Sequence, residues 1–269
     1  MIDSSAKKAR FSSDFKYVLD KNGKKMRFDD PRVVHIWAME TNYYFIKLIG
    51  NVFRRHGWNY RLIKKPLAVM MKDAKHFCTG RECFYANLFA GAVYNDFMEN
   101  GNKDEVRLYY YPNQQGPCQI GAWPDIFDIM GDKWKIDNAI FLVRLSEKNR
   151  YLGEGFPLGM EIASSLILGD IFREAEFSLR CVAADPEQAM KTFKAETEKV
   201  LESIKKGLKA LSSSLMVWAK AVAQIPVRKK VSDMPKVLVL GTVQLEILHP
   251  PVAEYFISQG IIPKVTNFT

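Results

Sequence analysis

Between Arg32 and Leu145, short apolar runs alternate with amphipathic stretches of helix length, and this alternation constrains the fold more than any other feature. RVVHIWA (Arg32–Ala38) reads as a buried strand. The following NYYFIKLIGNVFRRHG places Tyr44, Ile46, Ile49, Val52 and Phe53 at helical spacing, and Gly57 ends it. YRLI (Tyr60–Ile63) supplies a second strand. A strand, a helix and a strand in that order favour a parallel pair joined by a crossover. Pro66–Ala74 is expected to form a short helix. ECFYANLFAGAVYNDFMENG carries a helical face through Phe84, Leu88, Phe89, Ala92, Val93 and Phe97 and stops at Gly101. The pattern closes with a strand in EVRLYYY (Glu105–Tyr111), a helix from near Gln119 to Met130 whose first turn Pro124 weakens, and a strand in AIFLVRL (Ala139–Leu145). The expected class is α/β: a parallel-sheet, Rossmann-like domain, then a helical segment and the start of a second α/β unit.

The chain therefore divides into four stretches. Residues 1–30 are polar and weakly periodic and read as an arm or irregular lead-in; 31–158 form the α/β domain. Residues 159–225 are helical. Asp185, Pro186 and Gln188 supply an N-cap, a first-turn proline and a third-position glutamine for one long Lys/Glu-rich helix reaching about Ala223. Residues 226–269 comprise the charged linker IPVRKKVSDMP, begun at Ile225, and a partial α/β unit: strand KVLVLG, helix PVAEYFISQG, strand IIPKVT. A lone strand–helix–strand unit cannot bury both faces of its sheet, so it must pack on the rest of the chain or belong to something longer.

With 48% hydrophobic and 12% aromatic residues the chain can bury a substantial core, which excludes global disorder. Neither a run of transmembrane length nor a secretory signal is read in it. Four scattered cysteines fit a reducing cytoplasm. The net charge of +9 is dispersed over KKARF, GKKMR, RLIKKP and VRKKV rather than gathered into a stripe, so no nucleic-acid partner is expected. Such a surface suits an acidic protein partner or a phosphate-bearing ligand such as coenzyme A.

Three of the four cysteines lie in polar, glycine-bearing segments that precede helices: Cys78 and Cys83 in KHFCTGREC, and Cys118 in NQQGPCQIG. A buried cysteine packs as a small hydrophobe. A thiolate at a helix N-terminus, near Lys, His or Arg, is suited to metal binding or reaction. Residues five apart on a continuous helix diverge by about 140°. Cys78 and Cys83 can therefore share a centre only if CTGRE is a turn, as Gly80 permits. Cys118 follows a strand, at the carboxyl edge where ligands gather in open parallel sheets. Three thiolates from two loops match an incomplete [4Fe–4S] site, while structural zinc prefers four ligands in closer pairs. His76 is a candidate fourth ligand. Spacing alone leaves both a shared metal site and unrelated thiols open. Cys181, at the end of the apolar run FSLRCVAAD, reads as core.

CTGRECFYANLFAGAVYNDF, YYYPNQQGPCQIGAWPDIF and ASSLILGDIFREAEFSLRCVAADPEQA resemble successive blocks of the 2-hydroxyacyl-CoA dehydratase and benzoyl-CoA reductase superfamily. The likeness is to the branch related to acyl-CoA dehydratase activases, which carries G-K-E-C-L-P, a strand and then G-P-C-R-F-G. PKVLVLGTVQLEILHPPVAEYFISQG resembles the start of that branch's second Rossmann-like half, so the similarity runs from about Arg32 to the end of the chain. The resemblance implies an oxygen-sensitive [4Fe–4S] cluster on Cys78, Cys83 and Cys118. It also implies a partner, an ATP-dependent activase or another dehydratase-like subunit, that injects an electron at low potential. In the superfamily that electron turns a CoA thioester into a ketyl radical, so that an unactivated hydroxyl leaves or an aromatic ring is reduced. The sequence departs from the pattern at Arg81, at Phe84 and Tyr85, at Gln119 and Ile120, and in GTVQLE, where the branch carries a more polar G-E-I-Y-V-R. Its second half is short, and an activase domain is not recognised.

Three functions follow as expectations. The first is an iron–sulfur protein of dehydratase or reductase type acting on an acyl-CoA in anaerobic metabolism, with Gln114, Gln115 and Gln119 as substrate-contacting side chains. The second is a non-catalytic cluster- or partner-binding subunit. The third is a zinc-bound or metal-free scaffold. LGEGFPLG (Leu152–Gly159) lacks the Lys-Ser/Thr ending of a nucleotide loop and reads as a turn. His35 reads as a satisfied core histidine, Glu82 as a solvated loop carboxylate, and the acids of AVYNDFMENG as an exposed helix face.

Overall fold

The computed structural model describes residues 8–38, 42–101, 104–110, 122–143, 145–239 and 249–265. The described chain divides into two compact units, residues 1–40 with 56–159 and residues 41–55 with 160–269.

The first unit opens with a small antiparallel meander, β1 (Arg10–Phe11), β2 (Val18–Leu19) and β3 (Lys25–Met26), in a stretch expected to be an arm. The β2–β3 turn is closed by Asp20, whose Oδ1 accepts from the amides of Asn22 and Lys24, both at 2.8 Å. Val18, Met26 and Phe28 are buried beneath it. Strands two residues long carry no readable period, which is why the sequence hides them.

The main sheet holds β4 (Val33–Trp37), β5 (Asn59–Leu62), β6 (Val106–Tyr110) and β7 (Ala139–Val143), all parallel, in the order β5-β4-β6-β7. Every residue of β4 and β6 is buried. Strands covered on both faces read as near-continuous apolar runs, and the sequence displays these two so, apart from His35 and Arg107. This is a Rossmann-like α/β arrangement, as expected. Its topological switch lies between β4 and β6, since the chain moves from β4 outward to β5 and then returns to the opposite side. The crevice beyond the carboxyl ends at such a point is where ligands bind in these sheets. Trp37 and Tyr110 are the last residues of the two strands, and they are register partners.

Helix α1 (Tyr43–Arg55) follows β4 in the chain and belongs to the second unit. In the first unit, α2 (Leu67–Ala74) and α3 (Phe84–Glu99) lie between β5 and β6, and α4 (Trp123–Lys133) between β6 and β7. Pro124 sits in the first turn of α4, where its missing N–H costs no helical bond. α2 and α3 pack closely at Gly91, where an added Cβ would lie 1.9 Å from the carbonyl oxygen of Met70.

The face of α3 differs from expectation. Asp96, read as solvent-facing, is buried and accepts from Arg61 Nη1 (3.0 Å), Tyr109 Oη (2.8 Å) and Asn100 Nδ2 (3.1 Å). Arg61 also donates to Glu105 at 2.8 Å, and Arg107 Nε lies 3.7 Å from Asp96 and 3.4 Å from Glu105. Two guanidiniums and two carboxylates thus form a neutral cluster beneath α3. Cations on buried strands must be paired, and the carboxylate of α3 meets that need.

In the second unit, α5 (Phe156–Val182), which begins in the first unit, leads to α6 (Pro186–Ser203) and α7 (Leu208–Ala223). Asp185 caps α6 as read, its carboxylate accepting from the Gln188 amide at 3.0 Å. The expected single helix to Ala223 is instead broken at Gly207, whose φ of +94° no helix accommodates. In a continuous helix Thr197 and Trp218 would stand about 31 Å apart. Here the indole Nε1 donates to Thr197 Oγ1 at 2.9 Å, so the helices form a hairpin. The chain closes with β8 (Lys236–Val239), α8 (His249–Ser258) and β9 (Ile262–Val265), a parallel pair with its helix. This unit packs on the end of α5: Ile262 meets Cys181 and Val182, and Arg180 forms an ion pair with Glu254.

Candidate functional site

α2 ends at Ala74, and the backbone continues in turns, with the Cys78 amide donating to the Ala74 carbonyl at 2.7 Å. The backbone then bends at Gly80 and Glu82. Gly80 adopts φ +86°, the left-handed conformation that glycine reaches without strain. Glu82 closes this turn on itself: its carboxylate accepts from the amides of Thr79 (2.9 Å) and Gly80 (3.0 Å) and from Thr79 Oγ1 (3.1 Å). The carboxylate expected to be solvated is therefore committed to the loop. Burial works against its ionisation, but the hydrogen bonds outweigh that and hold its pKa below the ordinary value. Cys83 is the N-cap residue of α3, and the Asn87 side chain donates to the carbonyls of Glu82 (2.9 Å) and Cys83 (3.0 Å).

The backbone bends at Gly80 and Glu82, between the two cysteines, so they do not lie on one continuous helix. Both thiols are half-buried. Burial pushes the Cys78 thiol up to about 12, with the negative charges of Glu82 and Cys83 adding to the effect. A thiolate here is costly until a cation arrives. α3 leads toward the start of β6, so its own start with Cys83 lies toward the carboxyl edge of the sheet.

Cys118, Gln114, Gln115 and Gln119 lie outside the described residues. Among the described residues, no three His, Cys, Asp or Glu side chains form a group able to hold a metal ion. His76, the candidate fourth ligand, stacks on Tyr94 with centroids 4.3 Å apart and planes 12° apart, edge-on to Trp134. With buried Phe77 it anchors the loop to α3. Cys181 is core: its thiol is buried against Val182 and Ile262, and Sγ lies 3.7 Å from the Ile261 carbonyl.

Two weaker candidates resolve as turn and core. In 150–155, Arg150, Tyr151 and Leu152 have φ near +50°, and the amides of Gly153 and Gly155 both donate to the Arg150 carbonyl. Those donors are spent within the turn and make no phosphate cradle. His35 is fully buried, its Nε2–H donating to the Phe28 carbonyl (2.9 Å) and its Nδ1 accepting from Tyr110 Oη (2.8 Å). Burial lowers its pKa to about 3, so it is neutral.

No family model, no curated protein and no solved structure matches this chain. Among the described residues, no helix is long and apolar enough to cross a membrane.

Proposed function

We propose that this chain is an iron–sulfur protein of the 2-hydroxyacyl-CoA dehydratase type, in which Cys78, Cys83 and Cys118 hold a [4Fe–4S] cluster. The observation that carries the reading is the Glu82-closed turn, which sets Cys78 and Cys83 within reach of each other's charge at the head of α3. Soft thiols suit iron–sulfur better than hard cations. A half-buried thiol whose anion is disfavoured is the kind of donor that a cationic centre stabilises. When bound, the cluster supplies one-electron chemistry at low potential. Glu82 holds the ligand turn, Asn87 pins its exit to the first turn of α3, and His76 with Phe77 fixes its entrance. Gln114, Gln115 and Gln119 are the proposed contacts to an acyl-CoA. An ATP-dependent activase or another dehydratase-like subunit is the proposed electron donor, in the cytoplasm.

Anaerobic purification with iron and sulfide analysis tests this. The protein should be brown, with about four irons per chain. Cys118→Ser should remove most of the colour, and Cys181→Ser should not. Colourless protein holding only zinc, or equal loss in both variants, overturns the assignment.

A second reading, a non-catalytic subunit that docks an acidic partner, is favoured by the surface of 227–238. There Val227, Val231 and Leu238 are exposed beside the exposed Lys229 and Lys230. Metal-free protein that binds an acidic protein with strong salt dependence would favour it.

A further inference from the structure

On the face of the main sheet opposite the ion cluster, four buried rings lie nearly parallel in one file. Trp58 stacks on His35 with centroids 4.3 Å apart and planes at 12°. His35 lies 5.8 Å from Tyr110 at 16°, and Tyr110 lies 6.5 Å from Trp37 at 7°. At one end His56, partly exposed, approaches Trp58 at 5.9 Å. At the other end Trp37 and Tyr110 terminate β4 and β6 at the switch point of the sheet. Offset-stacked and edge-on pairs are both ordinary packing arrangements, and this unit holds both, as at stacked Tyr109 and Phe141 and at edge-on Phe89 and Phe127. What sets this file apart is its composition: indole and phenol are among the side chains easiest to oxidise by one electron, and the imidazole between Trp58 and Tyr110 can take up a proton.

We propose that Tyr110 is a redox-active tyrosine, with His35 as its proton acceptor and Trp58 and Trp37 as relays. The geometry specifies the step. An oxidising equivalent from an outer-sphere one-electron oxidant enters at an indole and leaves an indole radical cation. That radical cation takes one electron from Tyr110. The O–H bond of Tyr110 breaks as its proton moves along the 2.8 Å hydrogen bond to Nδ1 of His35. The products are a neutral tyrosyl radical, an imidazolium and a restored indole. The Nε2–H of His35 keeps its bond to the Phe28 carbonyl throughout, so the ring need not move.

Two properties of the pair support the coupling. Burial raises the Tyr110 phenol far above its ordinary pKa, so a prior phenolate is closed off and electron and proton must leave together. His35 is neutral down to about pH 3, so its Nδ1 lone pair is available to receive the proton. An oxidised phenol is a far stronger acid than an imidazolium, so the transfer runs downhill even to this weakly basic ring. The file offers a sink for oxidising equivalents arising at the sheet edge. It does not depend on the cluster reading, because it is tested on the chain without metal.

The test uses the whole chain under argon, with a photo-generated ruthenium(III) polypyridyl complex as oxidant and freeze-trapping for EPR. A long-lived tyrosyl signal is expected, and Tyr110→Phe should remove more than half of it. Tyr255→Phe, at an exposed position, should leave it in place. Because Tyr110→Phe strands a buried acceptor on His35, a shape-preserving variant is added, with 3-fluorotyrosine placed at position 110. Fluorine hyperfine splitting should then appear in the trapped signal. A signal without fluorine splitting overturns the proposal, as does a signal lost equally in Tyr255→Phe, or no tyrosyl signal at all.

Discussion

Removing the carboxylate of Asp96 should destabilise the protein by about 3 kcal/mol, the low end of the range of about 3–5 for breaking a buried ion pair from one side. Asp96 holds hydrogen bonds from Arg61, Tyr109 and Asn100 and faces Arg107. In Asp96→Ala, two guanidiniums lose a carboxylate that both face, and keep Glu105. Arg107 and Asp96 are almost wholly buried, whereas Arg61 retains about a quarter of its side-chain exposure. Water can therefore reclaim Arg61, which places the expectation at the low end. At about 2–4 °C per kcal/mol for a chain of this size, the melting temperature should fall by roughly 6–12 °C. Urea unfolding followed by far-UV circular dichroism should show a lower midpoint with the slope unchanged. Glu99→Ala is the matched control, because its ion pair with Lys65 is at the surface. It should cost no more than about 0.5 kcal/mol. A loss below about 1 kcal/mol in Asp96→Ala, or one equal to that of Glu99→Ala, would refute the burial argument.

Three further outcomes are expected. His35 has its pKa lowered to about 3 when folded, from 6.5, so the unfolded chain binds more protons between those values. Its stabilising contribution is full above about pH 6.5 and is lost as pH falls toward 3; stability against pH should be measurably flatter there in His35→Gln. The Cys78 thiol, raised to about 12, should alkylate about a thousandfold more slowly at pH 7 than a thiol at the ordinary 9.0 in metal-free protein, as read by mass spectrometry after iodoacetamide; alkylation at the ordinary rate would contradict the burial. Gly91→Ala must push α2 off α3, costing about 1–3 kcal/mol and exposing Cys78 to faster alkylation; an unchanged midpoint would show that the helices give way freely.

What was legible in the sequence follows from burial geometry. β4 and β6 are covered on both faces, so RVVHIWA and EVRLYYY stand out as mainly apolar runs, each interrupted inside the strand by one polar residue, His35 and Arg107. The cap at Asp185 and the turn at Gly80 were readable because each depends on local chemistry that one or two residues dictate. The helix hairpin was not readable in the same way. IKKGLK is compatible with a long helix, and the break at Gly207 is fixed by the long-range meeting of Trp218 with Thr197. Asp96 was misread because helical periodicity sends carboxylates outward. The corrective signal was present in Arg61 and Arg107, cations on strands that had to find a counter-charge. Of the candidate site, the sequence marks Gly80 as a place where the chain can bend between Cys78 and Cys83, while the bonds from Glu82 to the Thr79 and Gly80 amides carry no sequence signature.

The two faces of the main sheet part company at adjacent residues of β6. Consecutive side chains of a strand point to opposite faces, so Tyr109 reaches Asp96 under α3 while Tyr110 reaches His35 on the other side. Both phenols are buried, and each donates a hydrogen bond that phenylalanine would remove. The acceptors differ in kind: a carboxylate locked between two guanidiniums, and a neutral imidazole whose Nδ1 can take up the proton it accepts as a hydrogen bond. Tyr109→Phe should therefore read out mainly in stability, because it removes a donor from a charged cluster that has other donors and no redox partner aligned with it. Tyr110→Phe should read out mainly in where an oxidising equivalent comes to rest. Measuring both variants by both assays separates the clamp that holds α3 from the ring file at the switch point. Parallel losses in the two variants would mean that the faces act as one packed core without the division argued here.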